Sequence, residues 1–295
     1  MSVGRWLHMA VAACLAISCS TLSQEDDGSV LGERTLVFRT VSGNDAPFME
    51  QGSTVGMFIT TVSTGELLRR NELVVVGENG TPAHQLDILE SSASDDYEFF
   101  AYSPYDSSWD DILDSVLEFE VSADQSSDKG YEVSDLMLAY DIEHNDKCDE
   151  VLFSHVMAKI ILHVTDRTGM FDMTSSGAVL HGLRCGAYIY MADGSCQTMD
   201  VDVSDIYCHM LDSRDRRASL SAVVPPQELD GEKLSFSLLL GGAEYGFSIS
   251  DVQQLSGEKV YIYSLRMTDR GLELEDSTIA DWEDDGGSSF NVAFE

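Results

Sequence analysis

Apolar and polar residues alternate along most of the chain, which predicts β-strands rather than helices. In residues 35–41, TLVFRTV, successive side chains fall on opposite faces, as the two-residue period of a strand requires. The run 116–121, VLEFEV, alternates equally cleanly, as expected of a strand with one face in water. Residues 111–117 are open to a second interpretation as one short helix. Further strands are predicted at 55–62, 73–76, 97–102, 180–183, 187–191, 220–224, 234–240, 245–249, 260–267 and 272–275.

The longest predicted strand covers residues 151–164 and opens the second half of the chain. One set of alternate residues in this run is almost wholly apolar, and the other is amphipathic. A charged connector, residues 141–150, precedes it and marks the expected domain boundary. Because strands follow one another without a βαβ pattern, we predict an all-β protein with two β-sandwich domains in tandem, residues 35–146 and 147–295.

The N-terminus has the pattern of an export signal. Residues 1–18 combine Arg5 with an apolar stretch that is too short for a membrane-spanning helix, so they predict a signal peptide. The sequence AISC at 16–19 resembles a bacterial lipobox, although Ala16 stands where Leu, Val or Ile is usual. This predicts that Cys19 becomes the lipidated first residue of the mature protein. The alternative is an ordinary signal peptide followed by an incidental cysteine.

The segment after Cys19 is predicted to be a polar, acidic linker covering residues 19–34. Its acidic run, EDD at 25–27, resembles the surface-export signal of Bacteroidales-type lipoproteins. The resemblance implies a protein held in the outer membrane by its N-terminal lipid and exposed at the cell surface.

The net charge of the chain excludes some classes of binding partner. It contains 17 Lys and Arg against 52 Asp and Glu, a formal net charge of −35. Such a surface repels phosphate backbones and anionic lipid headgroups, so we exclude nucleic acid as a partner. Hydrophobic residues make up 43% of the chain, which is enough to form cores and argues against disorder.

No set of residues predicts catalysis, a metal site or a cofactor. His155 and His163 share a strand face but lie eight residues apart, about 26 Å at ~3.3 Å per residue, so they cannot bind one metal ion. The thiols Cys148, Cys185, Cys196 and Cys208 allow three disulfide pairings in an exported protein. A tight turn at Asp193-Gly194 would place Cys196 opposite Met191, too far from Cys185 for a disulfide. The sequence matches none of the common nucleophile, phosphate-loop or dinucleotide motifs.

Six short segments together resemble the fimbrillin-like family, the type V pilin superfamily of Bacteroidales. Each segment is short, but their order and spacing agree with the family over residues 36–282. The matching segments are FFAYSPY (99–105), DLMLA (135–139), FSHVMAKI (153–160), VPPQ (224–227), GEKVYIY (257–263) and IADW (279–282). The resemblance implies two transthyretin-like β-sandwich domains in a lipoprotein precursor.

The resemblance also implies assembly by strand exchange. In the family, cleavage after an arginine near the N-terminus removes a strand, and an extended segment of a neighbouring subunit fills the groove. Arg34 and Arg39 are the candidate cleavage positions. The candidate donor is the strand 289–295, where Phe290, Val292 and Phe294 alternate with smaller or polar residues. The alternatives are that Arg39 belongs to an uncleaved strand and that the C-terminal strip closes the second sandwich.

The leading functional hypothesis is therefore a structural or adhesive subunit of surface fimbriae. Its expected partners are other fimbrial subunits, the outer membrane through the lipid, and a host or bacterial surface ligand. The alternative is a non-polymerising surface lipoprotein that binds a glycan or a protein, although Trp109 and Trp282 are the only tryptophans after the signal peptide. An enzyme is the least favoured class.

Replacing Cys19 by alanine removes the thiol that the lipid would modify, so we expect incorporation of a labelled fatty acid to be lost completely. Metabolic labelling followed by mass measurement of the purified protein checks this. The matched control is Cys14→Ala, which changes a cysteine inside the signal peptide and should leave labelling intact. Undiminished labelling of Cys19→Ala would refute the anchor.

Overall fold

The described part of the chain consists almost entirely of β-strands, which confirms the all-β prediction. The structure is a computed structural model, and it describes residues 35–41, 46–84, 97–113, 115–144, 148–229, 233–250 and 252–282. The described residues form one unit by their contacts. None of the helices in the described ranges has the length and apolar character needed to cross a membrane.

The described residues form twenty strands. In chain order they are β1 (Thr35–Thr40), β2 (Thr54–Thr61), β3 (Leu67–Val75), β4 (Tyr97–Ser103), β5 (Val116–Glu120), β6 (Met137–His144), β7 (Cys148–His155), β8 (Ala158–Asp166), β9 (Gly177–Arg184), β10 (Gly186–Tyr190), β11 (Ser195–Thr198), β12 (Val203–Tyr207), β13 (His209–Arg214), β14 (Arg217–Val224), β15 (Gln227–Glu228), β16 (Leu234–Leu240), β17 (Ala243–Ile249), β18 (Gln254–Leu255), β19 (Lys259–Thr268) and β20 (Gly271–Asp281). An α-helix, α1, covers Asp128–Glu132, and two 3-10 turns cover Glu78–Gly80 and Met173–Ser175.

The N-terminal strands form a six-stranded sheet with the order β1-β7-β6-β4-β2-β3. β1 runs parallel to β7, from Thr35 opposite Cys148 to Thr40 opposite Phe153, and the other pairs are antiparallel. The free side of β1 is paired as well: the N–H of Thr40 donates to the carbonyl of Pro47, and the N–H of Met49 donates to the carbonyl of Phe38, both at 3.0 Å. β1 is therefore paired with β7 along its length and with residues 47–49 at its C-terminal end.

The later strands form two larger sheets that share a core. The four-stranded sheet has the order β12-β9-β16-β17, and the five-stranded sheet has the order β13-β14-β8-β19-β20. Leu180 and Phe236 of the first and Leu162 and Leu220 of the second belong to the same cluster of buried side chains. A two-stranded pair, β15-β18, completes this part.

A three-stranded sheet, β11-β10-β5, connects strands from the two halves of the sequence. β5 precedes the expected domain boundary and β10 follows it, yet they pair antiparallel over five residues. Leu117 and Phe119 of β5 are buried, and the ring of Phe119 lies edge-on to Trp109 at 6.2 Å between centroids. The boundary at residues 146/147 lies outside the described residues, and the division into two sandwiches stays a prediction.

The prediction of one continuous strand over 151–164 is wrong. The run is divided at Val156-Met157: β7 joins the six-stranded sheet and β8 joins the five-stranded sheet. The N–H of Val156 donates to the carbonyl of Leu136, which extends the β6–β7 pairing by one residue before the chain enters β8. Val156 and Met157 are both buried, so the side-chain pattern gives no polar signal where the backbone leaves one sheet for the other.

The helical interpretation of residues 111–117 is also wrong, because β5 begins at Val116. The short helix α1 forms instead in a segment that reads as a polar turn. Its N-cap is Ser127, whose hydroxyl accepts a hydrogen bond from the N–H of Gly130, as a helix N-terminus requires.

Candidate functional site

The first candidate site is the part of the six-stranded sheet that surrounds β1. We call it the slot, and it consists of β7, residues 47–49 and the core side chains that contact β1. Leu36 and Phe38 point into a core of twelve buried residues, and Phe38 is fully inaccessible to solvent. The rings of Phe38 and Phe153 meet edge-on at 6.1 Å between centroids. Thr40, on the same face, is buried as well, and on the opposite face Val37 is buried while Arg39 is half-buried. β1 is therefore buried along its core face, partly buried on its other face, and paired along one whole edge and at the end of the other.

A glycine allows a second backbone segment to pack closely against β1. Gly80 has a φ of +71°, and a Cβ atom at this position would lie 2.4 Å from the carbonyl oxygen of Phe38. Backbone thus packs directly on β1, which only a residue without a side chain permits.

Arg39 lies within β1 and its side chain is held from three directions. Its Nη1 donates to the carbonyl of Ala46 at 2.6 Å, its Nε lies 3.4 Å from a carboxylate oxygen of Glu150, and its guanidinium lies over the ring of Phe48 at 4.1 Å. Its backbone is opposite Leu152 in the β7 ladder. The peptide bond after Arg39 consequently belongs to a paired strand rather than to an open loop.

The other predicted site residues lie outside the described residues. These are Cys19, Arg34, and the donor-strand residues Phe290, Val292 and Phe294. Of the predicted assembly residues, the structure describes only Arg39.

The second candidate site is a cluster that sequence reasoning missed. Asp135, His155 and Trp282 come from three different family-like segments, and the fold brings them together. Nδ1 of His155 lies 2.7 Å from a carboxylate oxygen of Asp135, and its ring stacks on Trp282 at 4.0 Å with an interplanar angle of 8°. Nζ of Lys159 lies 5.0 Å from the centroid of the Trp282 ring. The signal was available, because each of these residues stands in a segment that matches the family, but only the fold shows that the segments meet.

This cluster joins the place where the chain changes sheets to the end of the last described strand. His155 ends β7, Lys159 lies in β8, and the N–H of Trp282 donates to the carbonyl of Glu258 just before β19. Trp282 is only 4% exposed. We call these four residues, Asp135, His155, Lys159 and Trp282, the junction cluster.

A buried polar network fixes α1 beside the junction cluster. The hydroxyls of Tyr131 and Ser221 lie 2.9 Å apart, and burial raises the pKa of Tyr131. The side-chain amide of Gln125 donates to the carbonyl of Val223, and its oxygen accepts from the N–H of the same residue. These hydrogen bonds attach the segment that precedes β6 to β14.

The described cysteines and histidines have structural surroundings. Cys185, Cys196 and Cys208 are free thiols, and burial raises the pKa of Cys196 and of Cys208 to about 12. Cys196 lies opposite Ile189 and not Met191, because the turn is longer than expected. Burial lowers the pKa of His163, whose Nδ1 lies 2.8 Å from the hydroxyl of Ser219. Within the described ranges, His, Cys, Asp and Glu form no group of three or more that is placed to hold a metal ion.

A family model agrees with the resemblance predicted from the motifs. The model of the fimbrillin-like proteins matches residues 40–282. No curated protein is detectably similar to the chain in sequence.

Solved structures share the fold of this chain. A candidate cell adhesion protein from Bacteroides ovatus superposes with a TM-score of 0.65 at 16% identity, covering 84% of this chain and 96% of its own. A candidate cell adhesion protein from Bacteroides uniformis superposes with a TM-score of 0.59 at 17% identity, covering 84% of this chain and 98% of its own. At these identities the likeness establishes a common fold.

Replacing Trp282 by alanine should lower the free energy of unfolding by about 3 kcal/mol, because it removes a buried aromatic ring and the stacking on His155. Urea denaturation followed by circular dichroism measures this. Ile279→Ala, at a position 61% exposed in the neighbouring strand, should stay within about 0.5 kcal/mol of the wild type. Equal stability of Trp282→Ala and Ile279→Ala would show that the junction cluster does not hold the fold.

Proposed function

Because this chain belongs to the fimbrillin-like family, we propose that it is a structural or adhesive subunit of surface fimbriae that assembles by β-strand exchange. The match to a fimbrial family supports this proposal. In it, the subunit works by binding and not by catalysis. The names of the two structural neighbours, candidate cell adhesion proteins, support the adhesive part of this proposal. Its partners are other fimbrial subunits and a host or bacterial surface ligand.

The observation that carries the proposal is the slot of β1. β1 is paired with β7 along its length and with residues 47–49 at its end, and its core face is buried, so its removal leaves unpaired backbone groups and an apolar groove. Burial of a Leu or Phe side chain contributes roughly 1.5–3 kcal/mol, and unpaired buried backbone groups are costly. An empty slot is therefore unstable, and a strand from another subunit that restores the same pairing is strongly favoured.

Of the two candidate arginines, only Arg39 leads to an empty slot. Cleavage after Arg34 leaves all of β1, Thr35–Thr40, attached to the domain. Cleavage after Arg39 separates five of the six residues of β1 from residue 40 onward. Since the bond after Arg39 lies in a paired strand, the protease acts on a form in which β1 has opened locally.

A second candidate function is favoured by the contacts of Arg39. The hydrogen bond to Ala46, the ion pair with Glu150 and the stacking on Phe48 all hold β1 in place. A subunit that keeps β1 does not accept a donor strand at this slot. It then acts as a tip, an anchor or a non-polymerising surface lipoprotein that binds a glycan or a protein.

The proposed anchor is the lipid on Cys19 in the outer membrane. From Cys19 to the first residue of β1 the chain spans at most roughly 55 Å when fully extended. This length lets the subunit stand clear of the membrane surface, where its net charge of −35 keeps it away from anionic headgroups.

Treatment of the purified mature protein with an arginine-specific protease tests whether loss of β1 opens the slot to a donor strand. We expect the wild type to lose its N-terminal segment and to form a ladder on an unboiled gel. Arg39→Lys keeps the positive charge but not the cleavage site, so we expect it to remain monomeric under the same treatment. Arg34→Lys is the matched control and should form the ladder.

A ladder from Arg39→Lys equal to that of the wild type would overturn the assignment of Arg39. A wild type that keeps residues 35–39 under this treatment would favour the second candidate function.

Deletion of residues 289–295 removes the proposed donor, so we expect the ladder to disappear while mass spectrometry still detects cleavage after Arg39. The matched control exchanges only polar residues of this segment, as in Asn291→Ser, and should assemble normally. Assembly that persists after the deletion would place the donor elsewhere in the chain.

A further inference from the structure

An open cleft of about 380 Å³ lies between the six-stranded sheet and the β10–β11 turn. Its apolar surface includes Val41, Leu138 and Leu152, and its polar groups include Tyr140, Asp193 and Glu258. The volume falls within the range of small-ligand pockets, roughly 300–1,000 Å³. Neither the strand-exchange mechanism nor the lipid anchor uses this cleft.

The charges around the cleft are negative. Hydrogen bonds from the hydroxyl and the N–H of Ser195 lower the pKa of Asp193, so its carboxylate is ionised at neutral pH. Burial, together with the charge of Asp193, raises the pKa of Tyr140 to about 12, so the phenol keeps its proton. Among the described residues that line the cleft there is no Lys or Arg, and the nearby Lys259 pairs with Asp281.

Tyr140 offers an aromatic surface next to these carboxylates. Its side chain is 38% exposed and packs with one side against Phe100, at 5.2 Å between centroids. The ring also lies against Gly194, where a Cβ would come within 3.1 Å of it. An aromatic ring beside a carboxylate favours an organic cation over an anion or a neutral group.

We propose that this cleft binds a primary ammonium group on an unbranched aliphatic stem, as the lysine side chain of a partner protein presents it. The stem contacts Val41, Leu138 and Leu152, and the ammonium lies against the Tyr140 ring and the Asp193 carboxylate. This combination resembles the way lysine side chains cover apolar surface while the charged end stays at the rim.

The chain itself is a poor source of this group. Its C-terminal segment 283–295 starts right after Trp282, whose N–H donates to the carbonyl of Glu258 at the cleft. That segment contains four acidic residues and no Lys or Arg, so its charge opposes entry. A second copy is equally unsuited, with 52 acidic against 17 basic residues. The occupant is therefore a different, more basic polypeptide.

Isothermal titration calorimetry on the full-length, uncleaved protein at low ionic strength tests the proposal with the peptide acetyl-Gly-Lys-Gly-amide. We expect saturable binding of one peptide, and at least roughly tenfold weaker binding of the same peptide with an acetylated lysine, which has lost its charge. Asp193→Asn should weaken binding of the lysine peptide about tenfold. Tyr140→Leu should weaken it several-fold, with thermal unfolding used to check that each variant is folded.

The matched control is Asp276→Asn, which removes an exposed acid from β20 and should bind the lysine peptide as the wild type does. An equal loss in Asp276→Asn would mean that the peptide senses only the overall charge, and would overturn the site. Binding of galactose with no binding of the lysine peptide would overturn the ligand class. Butylamine binding as tightly as the peptide would overturn the assignment to a protein side chain.

Because no protease is used and β1 stays in place, these outcomes are independent of strand exchange.

Discussion

The six-stranded sheet and its core depend on the backbone pairing of β1 with β7 and, at its end, with residues 47–49. This pairing adds β1 to the six-stranded sheet as its first strand, and it places Leu36 and Phe38 in the core that β2, β3 and β7 complete. Backbone donors and acceptors are the same in every residue, so the slot recognises an extended chain with apolar side chains at alternate positions rather than one particular sequence. In the proposed strand exchange, the interaction that closes the folded monomer is also the one that joins two subunits.

The junction cluster stabilises the point at which the chain passes from one sheet to the next. At Val156-Met157 the backbone leaves the six-stranded sheet, and a bend between two buried strands needs fixed partners to have one conformation. His155 receives them from Asp135 before β6 and from Trp282 after β20. Because Trp282 immediately precedes the C-terminal segment, the cluster also fixes the point from which that segment departs. The C-terminal segment, the donor in the proposed exchange, thus follows directly on a buried residue.

The negative charge of the chain limits which molecules it can associate with. A net charge of −35 produces repulsion between copies, which discourages unspecific association and leaves backbone pairing and apolar burial as the attractive terms. Arg39 is one of few basic residues, and its contacts with Ala46, Glu150 and Phe48 are local to the slot. The cleft beside Tyr140 follows the same logic, since a surface with Asp193 and Glu258 at its rim selects for a cationic partner and against another copy.

Alternation alone determined that Thr35–Thr40 and Val116–Glu120 are strands, because the two-residue period is a local property that each segment carries by itself. The order of short motifs likewise determined the family, and three of those motifs supplied members of the junction cluster. Only the tertiary structure decided that residues 151–164 divide into two strands of different sheets, and that β5 pairs with β10 across the expected domain boundary. It also decided that β1 pairs with β7 on one edge and, at its end, with residues 47–49 on the other. The reason is physical. A side-chain pattern specifies which face of a strand is buried, whereas strands pair through hydrogen bonds between their backbones. Because backbone groups are the same in every residue, the sequence pattern does not show which strands will pair.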